Sequence, residues 1–133
     1  MGEKLSEVLN VSTVIPAQDV DTSDVTSAAF KAMAKYRRVL VVATVKAVPD
    51  TKAVTLQLRQ ATSAGGSSAA NLGTAVTVTN SSGSAADITV TAEARVEEMT
   101  SGKTHVGCVL GSNHGSALNG SAVMILGDGR FSD

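Results

Sequence analysis

The amino-acid sequence predicts an all-β fold, namely an antiparallel β-sandwich or jelly-roll-like domain of seven to eight strands with a short N-terminal arm. Short segments rich in Val and Thr recur at roughly even spacing, and most of them alternate apolar with polar residues. Clusters of Gly, Ser, Asn and Pro separate these segments. Strands alternating with long helices, which a parallel α/β sheet needs, are missing from the pattern. The 133 residues suit one domain, which we place at residues 11–133, after an arm of residues 1–10.

The predicted core is made of small side chains. Hydrophobic residues make up 43% of the chain, but Ala and Val supply most of them, and the aromatic residues are only Phe30, Tyr36 and Phe131. Small β-branched side chains favour sheets and bury little area each, at roughly 25 cal/mol per Å². Association with a partner would therefore add to the stability of this domain.

The first third of the chain predicts an arm, an edge strand and one helical segment. Residues 1–10 can form a short helix through Leu5, Val8 and Leu9 or an arm that orders on a partner, and we favour the arm. Residues 11–16 are β-branched and stop at a proline, as an edge strand does. Residues 19–27 are rich in turn formers and predict a surface strand or loop.

Residues 27–35 are the one segment with helical propensity. We expect one or two helical turns there, capped by Ser27, with Phe30 and Met33 pointing the same way.

The strongest strand prediction covers Tyr36 to Val48, whose continuous apolar run from Val39 to Val45 is typical of a central strand. Residues 53–61 alternate, and the turn signal of residues 49–52 before them predicts a β-hairpin with the preceding strand. Further strands are predicted at residues 74–79, 86–96, 104–111 and 121–127, with loops at residues 62–71 and 112–120.

The charge balance excludes several classes of partner. Eleven basic and twelve acidic residues give a net charge of -1, whereas nucleic-acid binding needs a clustered positive surface. The densest basic run, Lys35, Arg37 and Arg38, is interpreted as solvated charge at the entry to a strand. No run approaches 18 apolar residues, so no membrane span is expected, and the first ten residues lack the apolar region of a secretory signal. We therefore expect synthesis and folding in a host cytoplasm.

Catalytic motifs are approached but not completed. Gly102-Lys103-Thr104 ends like a phosphate-binding loop, but Glu97 stands where that loop needs glycine. Residues 111–115 read Gly-Ser-Asn-His-Gly, with asparagine where a nucleophile elbow needs serine. We therefore expect no enzymatic activity.

Metal and cofactor sites are not expected either. His105, His114 and the single cysteine, Cys108, are too few for a four-ligand zinc site, and Cys108 alternates with apolar residues as a buried residue does. The acidic residues Asp19, Asp21 and Asp24 offer oxygen ligands to calcium, or they form Asx turns in a solvated loop. Because the glycine and distal glutamate of a calcium loop are absent, we predict no metal and no cofactor.

Several runs in the chain resemble small phage-encoded virion proteins. In that group a Gly-Lys turn precedes a Tyr/His-Val strand, and the last strand finishes near an Arg-Tyr or Arg-Phe pair. The runs that carry the resemblance are Val14-Ile15-Pro16-Ala17-Gln18-Asp19-Val20, Tyr36-Arg37-Arg38-Val39, Gly102-Lys103-Thr104-His105-Val106 and Leu126-Gly127-Asp128-Gly129-Arg130-Phe131.

This resemblance implies a virion structural protein of the capsid decoration, or cement, type. Such a protein is expected on the capsid surface, where it binds the major capsid protein across capsomer joints, with no nucleic acid and no membrane as partner. The alternative is a receptor- or glycan-binding head-fibre or tail accessory protein. Exposed edge strands and the apolar arm also favour a homo-oligomer, either dimer or trimer. The predicted capsid- or self-interaction residues are Leu5, Val8, Leu9, Arg37 and Arg38.

Overall fold

The computed structural model describes residues 9–21 and 23–129 and confirms the predicted all-β fold. Ten strands lie in this part of the chain, and a single 3-10 turn at Val96–Glu98 follows the eighth of them. In chain order they are β1 (Asn10–Asp19), β2 (Val25–Thr26), β3 (Lys31–Ala32), β4 (Tyr36–Val48), β5 (Ala53–Ala61), β6 (Ala70–Asn71), β7 (Val76–Thr79), β8 (Ala86–Arg95), β9 (His105–Ser112) and β10 (Asn119–Gly129).

The strands form two antiparallel sheets. Sheet A has the order β1-β10-β4-β8. In sheet B, β9 and β5 are the central strands; the short strands β2 and β3 both pair with β9, and β6 and β7 both pair with β5. Each pair of short strands occupies one edge position, so the two sheets have eight positions in all. Successive strand pairs alternate between the two sheets, which is the arrangement of a jelly roll. These pairs are β1 with β10 in sheet A, β2/β3 with β9 in sheet B, β4 with β8 in sheet A, and β5 with β6/β7 in sheet B.

The core lies between the sheets and follows the alternation of the sequence. In β4 the buried residues include Val39, Val41, Ala43 and Val45, while in β5 they are Val54, Leu56, Leu58 and two terminal residues. In β8, Val90, Ala92 and Ala94 are likewise buried, and the intervening residues are exposed. Period-2 patterning therefore decides which side of each strand faces the core.

The predicted hairpin between β4 and β5 is wrong. Both strands have the bounds that the sequence predicts, but β4 lies in sheet A between β10 and β8, and β5 lies in sheet B beside β9. The chain changes sheets at residues 46–52, where Ala47 and Thr51 adopt positive φ angles of 52° and 71°. Two strands that each bury one apolar face can pair within one sheet or pack face to face in two sheets. Alternation of apolar and polar residues therefore cannot choose between these arrangements.

Asn80 holds this crossing together. Its side-chain Nδ2 donates to the Val48 carbonyl at 2.7 Å and to the Ser84 carbonyl at 2.8 Å. Its backbone carbonyl accepts from Thr51 N–H and its N–H donates to the Lys52 carbonyl. Because β7 passes to β8 at the same corner, one buried amide joins two sheet-crossing connections.

The predicted helical turns at residues 27–35 are also wrong. Ser27, Phe30 and Met33 donate their N–H groups to the carbonyls of distant residues, namely Cys108, Ala64 and Thr104. Met33 enters the core, whereas the Phe30 ring covers the outer face of sheet B at Gly107. A Cβ atom on Gly107 would lie 2.8 Å from the Phe30 ring, so the glycine provides the space for it. Tertiary pairing with β9 outweighs the modest helical propensity of this segment.

Candidate interaction surface

The predicted interaction residues fall on the outer face of sheet A only in part. Leu5 and Val8 lie outside the described residues. Leu9 is half-buried, and its Cδ2 atom covers Gly127 on that face, 2.6 Å from where a Cβ atom on the glycine would lie. Arg37 and Arg38 are both exposed at the start of β4, and because successive side chains alternate, only Arg38 shares the face with Leu9.

Strand register brings five aliphatic side chains together on this outer face. Ile125 stands between Val11 and Leu40, and Val123 stands beside Val42 in the next row. Val11 is 60% exposed and the other four are half-buried. Residues directly opposite in an antiparallel ladder lie on the same face with Cβ atoms about 5 Å apart, so these side chains are in lateral contact. We call Val11, Leu40, Val42, Val123 and Ile125 the aliphatic stripe.

The outer face of sheet B has the opposite character. Its central strand β5 presents Thr55, Gln57 and Arg59, and the hydroxyls of Thr55 and Thr77 are hydrogen-bonded at 3.1 Å. Arg59 donates to the Asn71 side chain, and the Gln57 amide donates to nearby backbone carbonyls. The polar groups of such a face are hydrogen-bonded to one another or to water, whereas contiguous exposed apolar side chains mark interaction surfaces. The two outer faces therefore differ, and sheet A carries the candidate surface.

Charged residues border the stripe at both ends. At one end a groove of about 460 Å³ is lined by Leu9, Arg38, Leu40, Glu93 and Ile125 with two neighbours. Arg38 stands directly opposite Arg95 of β8, so two guanidinium groups flank this end. Glu93 lines the same groove, so both signs of charge are present at this end of the stripe.

At the other end Lys46 forms an ion pair with Asp87 at 3.2 Å. The pKa of Asp87 is lowered, first because its carboxylate accepts the Ala47 N–H and then because Lys46 lies beside it. Asp87 thus stays charged over the whole physiological pH range.

Sequence reasoning missed the aliphatic stripe although its signal is present. The run from Val39 to Val45 predicts a central strand, but that prediction does not say whether one face or both faces would be covered. In a two-layer sandwich only one face of a strand meets the core, so Leu40 and Val42, which alternate with the core residues, have no layer above them among the described residues. The same holds for Val123 and Ile125 in β10. The available signal is the unbroken apolar run in each of two paired central strands, Val39 to Ala43 in β4 and Ala122 to Leu126 in β10.

The acidic cluster serves as an anchor for a loop. Asp21 is buried, and its two oxygens accept the N–H groups of His114 at 2.9 Å and Gly115 at 2.7 Å. Asp19 accepts the N–H of Asp21 in an Asx turn and also that of Leu118. Asp24 lies apart, over Gly111. The carboxylates of Asp19 and Asp21 therefore fix the loop of residues 113–118 against the end of β1. Of the two alternatives for the acidic residues, the structure shows the Asx turn.

The histidines and the cysteine are not brought together. His105 begins β9 and bonds to the Thr104 hydroxyl at 2.8 Å, whereas His114 lies beyond the end of the same strand. Cys108 is buried in the core, and burial raises the pKa of its thiol to about 12. Across residues 9–21 and 23–129, no three His, Cys, Asp or Glu side chains are grouped closely enough to hold a metal ion. No helix in this part of the chain is long and apolar enough to cross a membrane.

Comparison with known proteins gives distant structural likenesses only. No family model and no curated protein matches the chain. It is similar to a chain of infectious bursal disease virus Gx strain, with a TM-score of 0.48 and 9% identity over 89% of this chain and 31% of that one. A chain of the VP2 subviral particle of the same virus gives a TM-score of 0.48 at 10% identity, with the same coverage.

A chain of the disulfide-linked pili of Bacillus endospore appendages gives a TM-score of 0.42 at 13% identity, over 95% of this chain and 90% of that one. The chain thus spans about a third of the viral chains and most of the pilus chain. Likenesses of this degree have no bearing on what the chain binds.

Proposed function

We propose that this chain is a non-catalytic capsid decoration protein of a phage-type virion, which binds the outside of the assembled head and stabilises contacts between capsomers. The observation that carries the proposal is the aliphatic stripe on the outer face of sheet A. The sequence resemblance to small phage virion proteins supplies the class of partner, the major capsid protein.

The stripe suits a contact that is repeated in many copies. Its five side chains are small to medium aliphatics, four of them on the central strands β4 and β10 and Val11 on the edge strand β1, so binding them orders few side chains. Burial of such a patch contributes modestly in each copy, at roughly 25 cal/mol per Å². A shell that binds many copies gains its stability from the sum of these contacts, so no single copy needs a large hot spot.

The charged residues that border the stripe fix the orientation of the two partners at the apolar contact. Arg38 and Arg95 lie side by side at one end, and Glu93 stands beside Leu40. Rim charges contribute mainly to orientation and association rate. The near-neutral net charge of -1 keeps the rest of the surface from binding polyanions nonspecifically.

The test compares two matched lysine substitutions on the two outer faces. Leu40→Lys places a charge in the stripe, and Thr55→Lys places one at a half-buried outward position on a central strand of sheet B. Both variants are measured for binding to shells assembled from the major capsid protein and to its free subunits. We expect Leu40→Lys to weaken shell binding at least about tenfold, the equivalent of about 1.4 kcal/mol. Thr55→Lys should bind as the wild type does.

Wild-type binding should be weak for free capsid subunits, because a site at a capsomer joint exists only in the shell. Equal affinity for shells and free subunits would contradict the decoration role. Unchanged shell binding by a folded Leu40→Lys variant would remove the stripe from the interface.

A second candidate function rests on a groove on the outer face of sheet B that is lined by both polar and apolar residues. This groove has a volume of about 340 Å³, and its polar lining includes Asp24, Thr55, Gln57, Thr77 and Asn113. Hydroxyl, amide and carboxylate groups of this kind bind sugar hydroxyls, which favours a receptor- or glycan-binding accessory protein. The same two variants separate the functions, since Thr55→Lys would then abolish binding to a glycan array and Leu40→Lys would leave it unchanged.

A further inference from the structure

Each of the two sheets has two edges, and three of these four edges carry features that hinder pairing with another chain. At the edge of sheet A, β1 contains Pro16 and two register shifts, and both edges of sheet B are broken into short pieces of two to four residues. Proline, bulges and short strands are the devices by which proteins keep an edge from pairing with another chain.

The fourth edge, β8, has none of these devices. It runs for ten residues from Ala86 to Arg95, it contains no proline, and its pairing with β4 is regular from Ile88 to Arg95. No strand of the described chain pairs with its other side. The edge of β8 is therefore the one open to strand addition among those described, up to Arg95, whose N–H is already bonded to the Glu98 side chain.

The direction of the free backbone groups follows from Arg95. Its N–H donates to Glu98 Oε1 at 2.9 Å, so it does not point to β4. In an antiparallel ladder alternate residues direct both N–H and C=O to the same side, so Thr89, Thr91 and Glu93 direct theirs to the free edge. Their side chains lie on the outer face of sheet A and are exposed.

The charges on β8 are complementary to those of a second β8 that runs antiparallel. When the two-fold axis passes between Thr91 of one copy and Thr91 of the other, Asp87 stands opposite Arg95 of the second copy. In the same register Thr89 stands opposite Glu93 of the second copy. Both ends of the pair thus bring together opposite charges, which stabilise a cross-strand pair. Within one chain Arg95 faces Arg38 across the ladder, and Asp87 keeps exposed surface despite its ion pair with Lys46.

We propose that the chain forms a two-fold symmetric dimer by antiparallel pairing of β8 with β8 of a second copy, centred on Thr91. The four-stranded sheet A of each copy joins that of the other in one continuous eight-stranded sheet. This inference is independent of the proposed function, since it rests on the edge of sheet A and not on its aliphatic stripe.

Two substitutions test the pairing by sedimentation velocity of the full chain. Thr91→Pro removes an N–H that points to the free edge and leaves the ladder to β4 intact. Arg95→Glu places like charges opposite each other at both ends. We expect a wild-type dimer and a dissociation constant raised at least about tenfold in each variant. Lys35→Glu, an exposed change of the same charge away from β8, should leave the dimer unchanged.

The register is tested by disulfide trapping. Paired residues in such a ladder have Cα atoms about 5.5 Å apart, which suits a disulfide. Thr91→Cys should form a cross-linked dimer under mild oxidation, and the native Cys108 does not interfere because it is buried. Thr13→Cys, on the outer face of β1, is the matched control. A monomeric wild type, or faster cross-linking by Thr13→Cys than by Thr91→Cys, would overturn the proposal.

Discussion

Cys108 shows how a residue type takes its chemistry from its position. It stands on the core face of β9 and is fully buried, with Leu58 opposite it in β5. Burial disfavours the thiolate, and the thiolate is the reactive form of cysteine. The single cysteine of the chain is thus a small apolar core residue.

We predict that Cys108 resists alkylation in the folded protein. Its pKa is raised from 9.0 to about 12, so almost no thiolate is present at pH 8. Labelling with a thiol reagent should be slow in buffer and fast in denaturant. Rapid labelling of the native protein would show that the thiol is accessible.

The raised thiol pKa also has a consequence for stability at alkaline pH. Because the folded state holds its proton more tightly than the unfolded state, this contribution is fully present below about pH 9 and is lost as the pH rises towards 12. The Cys108→Ala variant lacks that dependence. The free energy of unfolding of the wild type should therefore decrease more steeply than that of the variant between pH 9 and pH 11.

At the scale of the element, the corner around Asn80 decides the topology. The buried side-chain amide of Asn80 satisfies carbonyls of Val48 and Ser84, one from each sheet-crossing connection. The Gly83 N–H also donates to Asp50, so the two connections are joined twice. Without Asn80 the buried Val48 carbonyl would lose this partner, whereas the Ser84 carbonyl also accepts from the Ser82 hydroxyl at 2.9 Å.

We predict that Asn80→Ala lowers the free energy of unfolding by about 1–3 kcal/mol, because the buried Val48 carbonyl and the Ser82 N–H lose the Asn80 side chain as a partner. Urea denaturation followed by circular dichroism measures the change. Ser81→Ala, at an exposed neighbouring position, is the control and should differ from the wild type by less than about 0.5 kcal/mol. Equal stability of Asn80→Ala and wild type would mean that the corner is held by other contacts.

At the scale of the whole molecule, the two proposed surfaces act together. A two-fold axis through Thr91 is perpendicular to sheet A, so the outer faces of both copies point to the same side. The two aliphatic stripes then lie on one broad face. A dimer of this form contacts a shell at two places, and the second contact is gained at high effective concentration.

We predict that the monomeric Thr91→Pro variant binds assembled shells more weakly than the wild type does, by about tenfold or more, although its stripe is intact. Surface plasmon resonance on immobilised shells measures this difference, mainly as a faster dissociation rate. Equal binding by the two proteins would separate dimerisation from shell attachment.

The sequence by itself determined the long strands, whereas the short strands β3 and β6 lie in segments predicted as helical turns and as a loop. Alternation with a period of two is a local property, so β4 and β5 have the predicted bounds. Only the tertiary structure decided which strands pair, that Phe30 covers Gly107, and that Leu40 and Ile125 lie together on an outer face. Sheet membership and register depend on contacts between residues far apart in the chain, and a local pattern is compatible with several such arrangements.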